Sequence, residues 1–347
     1  MTPPAKWLVL SDGARPTEDI YFLRSAGPWL VERGVEVRRL DTSRWQHPRW
    51  CWPWLGRLLA GANVLVCRTL STAWIEALEA HRPNLASCHY LIDDDLGAAA
   101  TDPGLPDGYR QRMAGHAARQ PRLLALADEV VACCDTLAAG LGERHPRVAL
   151  LEPPLLAPLP TLDHFTSSGW RLGFHGTRAH LPDLQRVIPA LVEAHARHTS
   201  LHMEVMLGCH TPDALARLER LASPKPLAWR RFLAYQRRCR LHIGIAPLWP
   251  SAFNGAKSHI KFLDIAAMGG VGIYSRRAPY ADIVNHGEDG LLVEDHPEAW
   301  RDAIDTLLAD PVKTREMAWH AARKARISGD PARAQAFWWE RTRHMGR

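Results

Sequence analysis

The sequence predicts an α/β protein made of two doubly wound halves, each a parallel sheet flanked by helices. Short apolar runs recur at residues 7–10, 35–40, 63–67, 88–92 and 129–132, with helical stretches near 72–80 and 107–127 between them. Runs so short read as buried strands, and their alternation with helical patterns implies parallel strands joined by crossover helices. A stiff segment containing Pro153, Pro154, Pro158 and Pro160, closed by Ser167-Ser168-Gly169, interrupts the alternation and marks a domain boundary. The same alternation then restarts.

Taken in order, the first strand ends in Ser11-Asp12-Gly13, and a helical pattern over 20–32 stops at Gly34. After the boundary come a strand at 171–175, a helix at 182–198, a strand at 202–207 and a helix at 212–221. An aliphatic run at 241–248, bounded by Pro247 and Pro250, reads as a buried strand. Asn254 and Gly255 supply loop chemistry, residues 257–268 contain no helix breaker, and Gly269-Gly270 stop the helix before strands at 271–274 and 291–293. The rest is helical, with caps at Asp295 to Pro297 and Asp310-Pro311, and residues 331–344 are placed to cross back to the first half. The expected domains are Rossmann-like units at 1–160 and 170–328, with a C-terminal helix over 329–347.

Composition narrows the function. A chain of 347 residues, 46% hydrophobic and 23% charged, is globular. No apolar stretch approaches the roughly 20 residues of a membrane helix, and residues 1–6 lack the organisation of a signal peptide, so a cytoplasmic protein is expected. The seven cysteines have no paired metal spacing and read as reduced thiols, with no structural metal. The net charge of +6 suits an anionic substrate or surface, while no nucleic-acid module is present.

Three stretches carry the chemistry. In the first, Lys257, Lys261 and Asp264 fall at i, i+4 and i+7 of the expected helix. Two lysines near a helix N-terminus repel each other and oppose the macrodipole, whereas a docked phosphate would meet free backbone N–H groups and both ammonium groups. The alternative is that both lysines extend into water. The strand before them favours the ligand reading, because ligands of open α/β sheets collect at the carboxyl ends of strands. Phe174-His175-Gly176-Thr177-Arg178-Ala179-His180 occupies a similar strand-to-helix turn: Gly176 lets a ligand approach the backbone, and Arg178 can pair with phosphate oxygens. It also fits an ordinary turn.

In the first half, Asp93-Asp94-Asp95 follows the strand ending at Ile92. These carboxylates could bind a cation, act as a base or accept hydrogen bonds from sugar hydroxyls, with a helix cap as the alternative. Trp45, Trp50, Trp52 and Trp54 are interleaved with Arg44, His47, Arg49 and Arg57. Such a cluster suits either an anionic membrane surface or the edge of the core beside an acceptor groove.

The second half resembles the donor domain of GT-B glycosyltransferases of the group 1, family 4-like set. The resemblance rests on Asn254-Gly255-Ala256-Lys257-Ser258-His259-Ile260-Lys261-Phe262-Leu263-Asp264-Ile265-Ala266-Ala267-Met268-Gly269 and on Ala278-Pro279-Tyr280 with residues 283–293. The strand Ile243-Gly244-Ile245-Ala246-Pro247-Leu248 and, in the first half, Tyr90-Leu91-Ile92-Asp93-Asp94-Asp95-Leu96 also fit. The chain departs from the commonest pattern in carrying Ala256 and Asp264 at the positions of two glutamates, and His242 where an acidic residue is frequent. A subset of the family has an Asn-x-x-Lys-Ser pattern in place of the first glutamate.

The resemblance implies a GT-B fold, two Rossmann-like domains facing a central cleft with the C-terminal helix crossing back to the first. It implies glycosyl transfer from a nucleoside diphosphate sugar to a glycan or lipid-linked acceptor, commonly with retention and with no cofactor or essential metal. Lys257 and Lys261 would hold the diphosphate with help from Arg178, and Asp264 the ribose hydroxyls. Gly176, Thr177, Asn254 and Ser258 would line the donor site, and Gly13, Asp93 and Asp94 the acceptor side. The expected setting is envelope polysaccharide synthesis on the inner face of the membrane, through Trp45, Trp50, Trp52 and Trp54. Two other readings are a GT-B-fold sugar-nucleotide epimerase and, motivated by Ala256, an inactive donor-binding scaffold.

Overall fold

The computed structural model describes residues 5–13, 15–45, 47–48 and 52–343, with only the backbone described for Trp52, Pro53 and Arg343. The chain forms two compact units. The first comprises Met1–Leu156, Gly255–Ser258 and Asp330–Arg347, and the second Ala157–Asn254 and His259–Gly329. Trp50 lies outside the described residues.

The first unit holds β1 (Lys6–Ser11), β2 (Glu36–Asp41), β3 (Ala62–Cys67), β4 (Ser87–Ile92), β5 (Glu129–Ala132) and β6 (Val148–Leu150). They form one sheet in the order β2-β1-β3-β4-β5-β6, every neighbour parallel. All six residues of β3 and of β4 are buried, the polar Asn63, Ser87 and His89 included, as central strands of a parallel sheet covered on both faces should be. The C-terminal helix Pro331–Arg343 belongs to this unit, as its expected return to the first half requires. Trp338 is fully buried, its ring edge-on to Trp7 at 5.3 Å and Phe22 at 5.0 Å, and its Nε1 donates to the Tyr21 carbonyl at 2.6 Å. Trp7 Nε1 donates in turn to Thr342 Oγ1 at 2.8 Å, and Arg341 pairs with both oxygens of Glu129. Truncating a tryptophan so enclosed costs about 3–5 kcal/mol.

The second unit holds β7 (Trp170–Phe174), β8 (Leu201–Val205), β9 (Leu221–Ala222), β10 (Ile243–Ala246), β11 (Val271–Ser275) and β12 (Leu291–Val293), in the order β12-β11-β10-β7-β8-β9 and again parallel. Its core gathers Leu172, Phe174, Leu184, Val187, Ile243, Ile273, Trp300 and Ile304. The helix Ile260–Ala267 lies close to β10 because Gly244 has no side chain: a Cβ there would meet Ile265 at 2.5 Å. Gly269, at φ +79°, makes the left-handed stop expected after that helix.

Local expectations fail where a residue is drawn elsewhere. The single helix expected over 257–268 is two, Ala252–Gly255 and Ile260–Ala267, with Lys257 and Ser258 in the break. The side chains in the break pair with Asp94 and Tyr21 of the first unit. The stretch over 20–32 divides into a wide turn Asp19–Leu23 and a helix Gly27–Val31 that restarts at Pro28, whose missing N–H is harmless only in a first turn. The helix expected over 212–221 is only Asp213–Ala216, since Leu221 must pair with Met203 as an edge strand. The cap expected within Asp295 to Pro297 is His296, whose Nδ1 accepts the Ala299 N–H at 3.3 Å.

Candidate functional site

In each unit the strand order reverses at one point, between β1 and β3 in the first and between β7 and β10 in the second. The crevice outside the carboxyl ends at such a point is where ligands of open α/β sheets bind.

In the second unit the register sets Gly173 of β7 beside Gly244 of β10. Beyond β7, Lys261 Nζ donates to the His175 carbonyl at 2.8 Å and pairs with Asp264 Oδ2 at 3.0 Å. Gln236 Nε2 holds the other Asp264 oxygen at 2.7 Å. Lys261 is therefore fixed at the strand end by one carbonyl and one carboxylate. Each lysine has a carboxylate of its own: Lys257 pairs with Asp94 and Lys261 with Asp264. Thr177 and Arg178 are exposed in the next turn, with Arg178 Nη1 3.4 Å from His210 Nε2. Gly176 has a packing reason of its own, since a Cβ there would lie 2.4 Å from the Phe174 ring.

Asn254 is buried, and its amide donates to both oxygens of Asp183 (3.0 and 3.2 Å) and to the Trp249 carbonyl at 2.9 Å. Asp183 also accepts the Trp249 N–H at 2.9 Å. The pair thus pins the loop after β10. Ser258 lies in the first unit, 3.5 Å from the Tyr21 hydroxyl. His242 is a structural residue: Nδ1 accepts the Arg171 N–H at 3.0 Å and Nε2 lies 3.0 Å from the His164 carbonyl. Burial brings its imidazole down to about 4. Ala256 is buried in the chain break.

The first unit's edge is far more charged. Arg68, directly after β3, lies 3.3 Å from Asp93 and 2.7 Å from Asp94, and Asp94 also pairs with Lys257. Thr17 Oγ1 donates to Asp93 Oδ2 at 2.6 Å. Burial raises Asp93, and the neighbouring Asp94 adds to that, although Arg68 opposes it. In Asp94 burial is outweighed by Lys257 and Arg68, which bring it to about 2. Arg68 is at φ +63°, the one non-glycine in the left-handed region among the described residues, a strained placement of the kind that accumulates at functional sites. Nearby, fully buried Glu18 receives Arg39 Nε and Nη2 at 2.7–2.9 Å. Gly13, at φ +84°, turns the chain beyond β1, and Asp95 caps the next helix by accepting the Ala98 N–H at 2.9 Å.

Sequence reasoning assigned no role to Arg68, His175, Asp183 or Glu204. Arg68 and His175 directly follow strands and could have been found by the carboxyl-end rule. Glu204 is a half-buried carboxylate between the buried Met203 and Val205 of β8, which is itself a signal. Among the described residues no group of three or more His, Cys, Asp or Glu is arranged to hold a metal, and Cys67, Cys88, Cys133, Cys134, Cys209 and Cys239 are free thiols.

Trp45 and Trp54 are each 48% exposed, stacked at 6.3 Å between centroids and 22° between planes. Among the described residues no helix is long and apolar enough to cross a membrane.

Two six-stranded parallel sheets of this kind define the GT-B fold, and solved structures agree over nearly the whole chain. HepE from Anabaena, solved with UDP and glucose, matches with a TM-score of 0.67 at 13% identity, covering 97% of this chain and 99% of that one. Sucrose-phosphate synthase from Thermosynechococcus elongatus gives 0.62 at 14% identity, covering 98% and 99%. A glycosyltransferase from Rickettsia africae gives 0.61 at 12%, covering 99% and 98%. At such identities the likeness is one of fold. No family model and no curated protein matches the sequence.

Proposed function

We propose that the protein is a glycosyltransferase that moves a glycosyl unit from a nucleoside diphosphate sugar to a glycan or lipid-linked acceptor. The observation that carries this reading is Lys261, fixed between the His175 carbonyl and Asp264 at the second unit's switch point. An ammonium group held there can bind a diphosphate and stabilise the charge that grows on it as the glycosidic bond breaks. The fold supports the reading, since HepE carries UDP and glucose on the same architecture.

In this reading Lys261 and the exposed Arg178 hold the diphosphate. Asp264 takes ribose hydroxyls. Gly176 and Thr177 offer backbone, and Asn254 braces the loop. The first unit presents the acceptor, with Asp93, Asp94 and Gly13 beside its hydroxyl groups. Transfer proceeds with retention, the departing phosphate taking the acceptor's proton, and no cofactor or metal is called on. The acceptor is envelope polysaccharide, met at the inner membrane surface through the exposed Trp45–Trp54 pair.

The test is thermal unfolding with UDP, GDP, ADP, TDP and their sugars, because a ligand at 100 times its dissociation constant adds about 2.7 kcal/mol. One nucleotide should raise the midpoint, and Lys261→Ala should cut the rise to less than half. Release of nucleoside diphosphate on adding acceptor then separates a transferase from a donor-binding scaffold, and formation of a new nucleotide sugar without acceptor would identify an epimerase.

A further inference from the structure

The residue whose carbonyl fixes Lys261 has a side chain that the proposed function leaves unused. The His175 side chain is 3% exposed, and its Nε2 lies 2.7 Å from Glu204 Oε1. The same carboxylate oxygen accepts the Tyr235 hydroxyl, which takes Cys239 Sγ at 3.0 Å, and Glu204 Oε2 lies 3.5 Å from Arg171 Nη2. The ring is clamped by Phe232 at 6.3 Å and Tyr235 at 5.6 Å, both edge-on. Its Cε1 lies 3.4 Å from the position a Cβ would take on Gly173. The ring therefore has little freedom to rotate, and one of its nitrogens is committed to Glu204.

The other nitrogen is not. His175 Nδ1 is buried and has no hydrogen-bond partner. Burial tends to raise Glu204, but the hydrogen bonds from His175 and Tyr235 outweigh this and hold it below the ordinary carboxylate range. An ionised carboxylate only accepts, so the proton of the neutral imidazole resides on Nε2 and Nδ1 presents a bare lone pair. For packing alone an apolar side chain would serve better than a network left one bond short. The open position lies on the first residue beyond β7, at the switch point where the donor is proposed to bind.

We propose that His175 Nδ1 accepts a hydrogen bond from a hydroxyl group of the nucleotide sugar, with Glu204 as the positioning residue that fixes the ring for it. The inference rests on the donor-site reading given above and narrows it. Lys261 and Arg178 recognise charge, whereas a lone pair on a locked imidazole recognises a hydroxyl and rejects a phosphate oxygen. The hydroxyl belongs to the ribose or to the transferred sugar.

The test is ¹⁵N spectroscopy of the histidine rings at about pH 8, above the usual imidazole range, with His175→Gln identifying the signals. In the free protein Nε2 should be protonated and Nδ1 should have the signature of an unbonded lone pair. Saturating UDP-glucose should shift Nδ1 towards the hydrogen-bonded value. An equal shift with UDP, lost with 2′-deoxy-UDP or 3′-deoxy-UDP, assigns the ribose; no shift with UDP assigns the sugar. His175→Leu and Glu204→Gln should each weaken UDP-glucose binding about tenfold, the worth of one hydrogen bond, and Glu204→Gln should also move the ring signals of the free protein. If UDP-glucose binds in a Lys261-dependent way and leaves Nδ1 unmoved, the inference is overturned while the donor-site reading stands. If the wild-type protein binds neither these nor the GDP, ADP and TDP nucleotides and their sugars, both fall.

Discussion

The two units share a sheet topology and place polar residues at corresponding edges, yet they treat charge in opposite ways. At the first unit's switch point the charges satisfy one another: Asp93 and Asp94 share Arg68, Lys257 closes on Asp94, and Glu18 is gripped by Arg39. At the second unit's edge the charged groups are fewer, and one cation stands in water; Asp93 Oδ1 of the first unit, by contrast, has no hydrogen bond but faces Arg68. Arg178 is exposed, and His175 Nδ1 has no partner. A self-neutralised cluster holds its own backbone in place and orients whatever it contacts, whereas an edge with open valences gains its missing partners from a ligand. The same fold can thus carry a rigid platform in one half and a receptive site in the other, with the difference set by a handful of side chains.

The most severe way to break this comparison is Arg68→Met. It leaves two adjacent, largely buried carboxylates with only Lys257 between them, and removing one partner of a buried ion pair costs roughly 3–5 kcal/mol. Urea unfolding should show a loss of that size, and a loss below about 1 kcal/mol would mean that the acidic pair is solvated rather than self-neutralised. Lys261→Ala should behave differently. Folding should change little, but nucleotide binding should weaken by about 2 kcal/mol, the worth of a charged hydrogen bond. Equal damage to folding and binding would remove the contrast between the two edges.

Much of the fold was legible because it is written in periodicity. Residues 129–132 are a strand as expected, and the flanking helices 107–126 and 181–197 differ from expectation by about a residue at their ends. What could not be read is what distant residues do to one another. Nothing local in residues 257–268 announces the break, in which Lys257 pairs with Asp94, more than a hundred positions earlier. Nor does the sequence say that Asn254 faces Asp183, or that Gly176 makes room for Phe174. The candidate site was legible as a set of strand ends but not as a set of contacts, and so Arg68, His175 and Glu204 had no assigned role.

Acid titration sharpens the same contrast. Asp94 and Glu129 are both brought to about 2, the first by Lys257 and Arg68 and the second by His89 and Arg341, in each case against burial. A carboxylate with a depressed folded-state value adds stability above its unfolded value, near 4, and loses it as pH falls towards 2. The two depressions correspond to roughly 2 and 3 kcal/mol. Asp93, raised by burial, acts oppositely, and its protonation offsets part of the loss. Stability followed from pH 5 to about 2 should therefore fall, less steeply in Lys257→Met through Asp94 and in Glu129→Gln through Glu129. Parallel curves for the wild type and both variants would show that these ion pairs do not set the acid limit.

The smallest expected effect belongs to the surface. Trp54 is stacked on Trp45 with half its area in water, so Trp54→Ala should change folding stability by less than about 0.5 kcal/mol. A tryptophan pair left open on a charged surface has a use only if something covers it, and the first unit is the one proposed to receive the acceptor. Sedimentation with anionic vesicles, measured beside binding of a soluble glycan, separates the candidates. Loss of vesicle binding alone in Trp54→Ala supports the membrane surface, and loss of glycan binding alone supports an acceptor platform. If neither changes, the pair serves only the edge of the first unit's core, and receptivity is confined to the second.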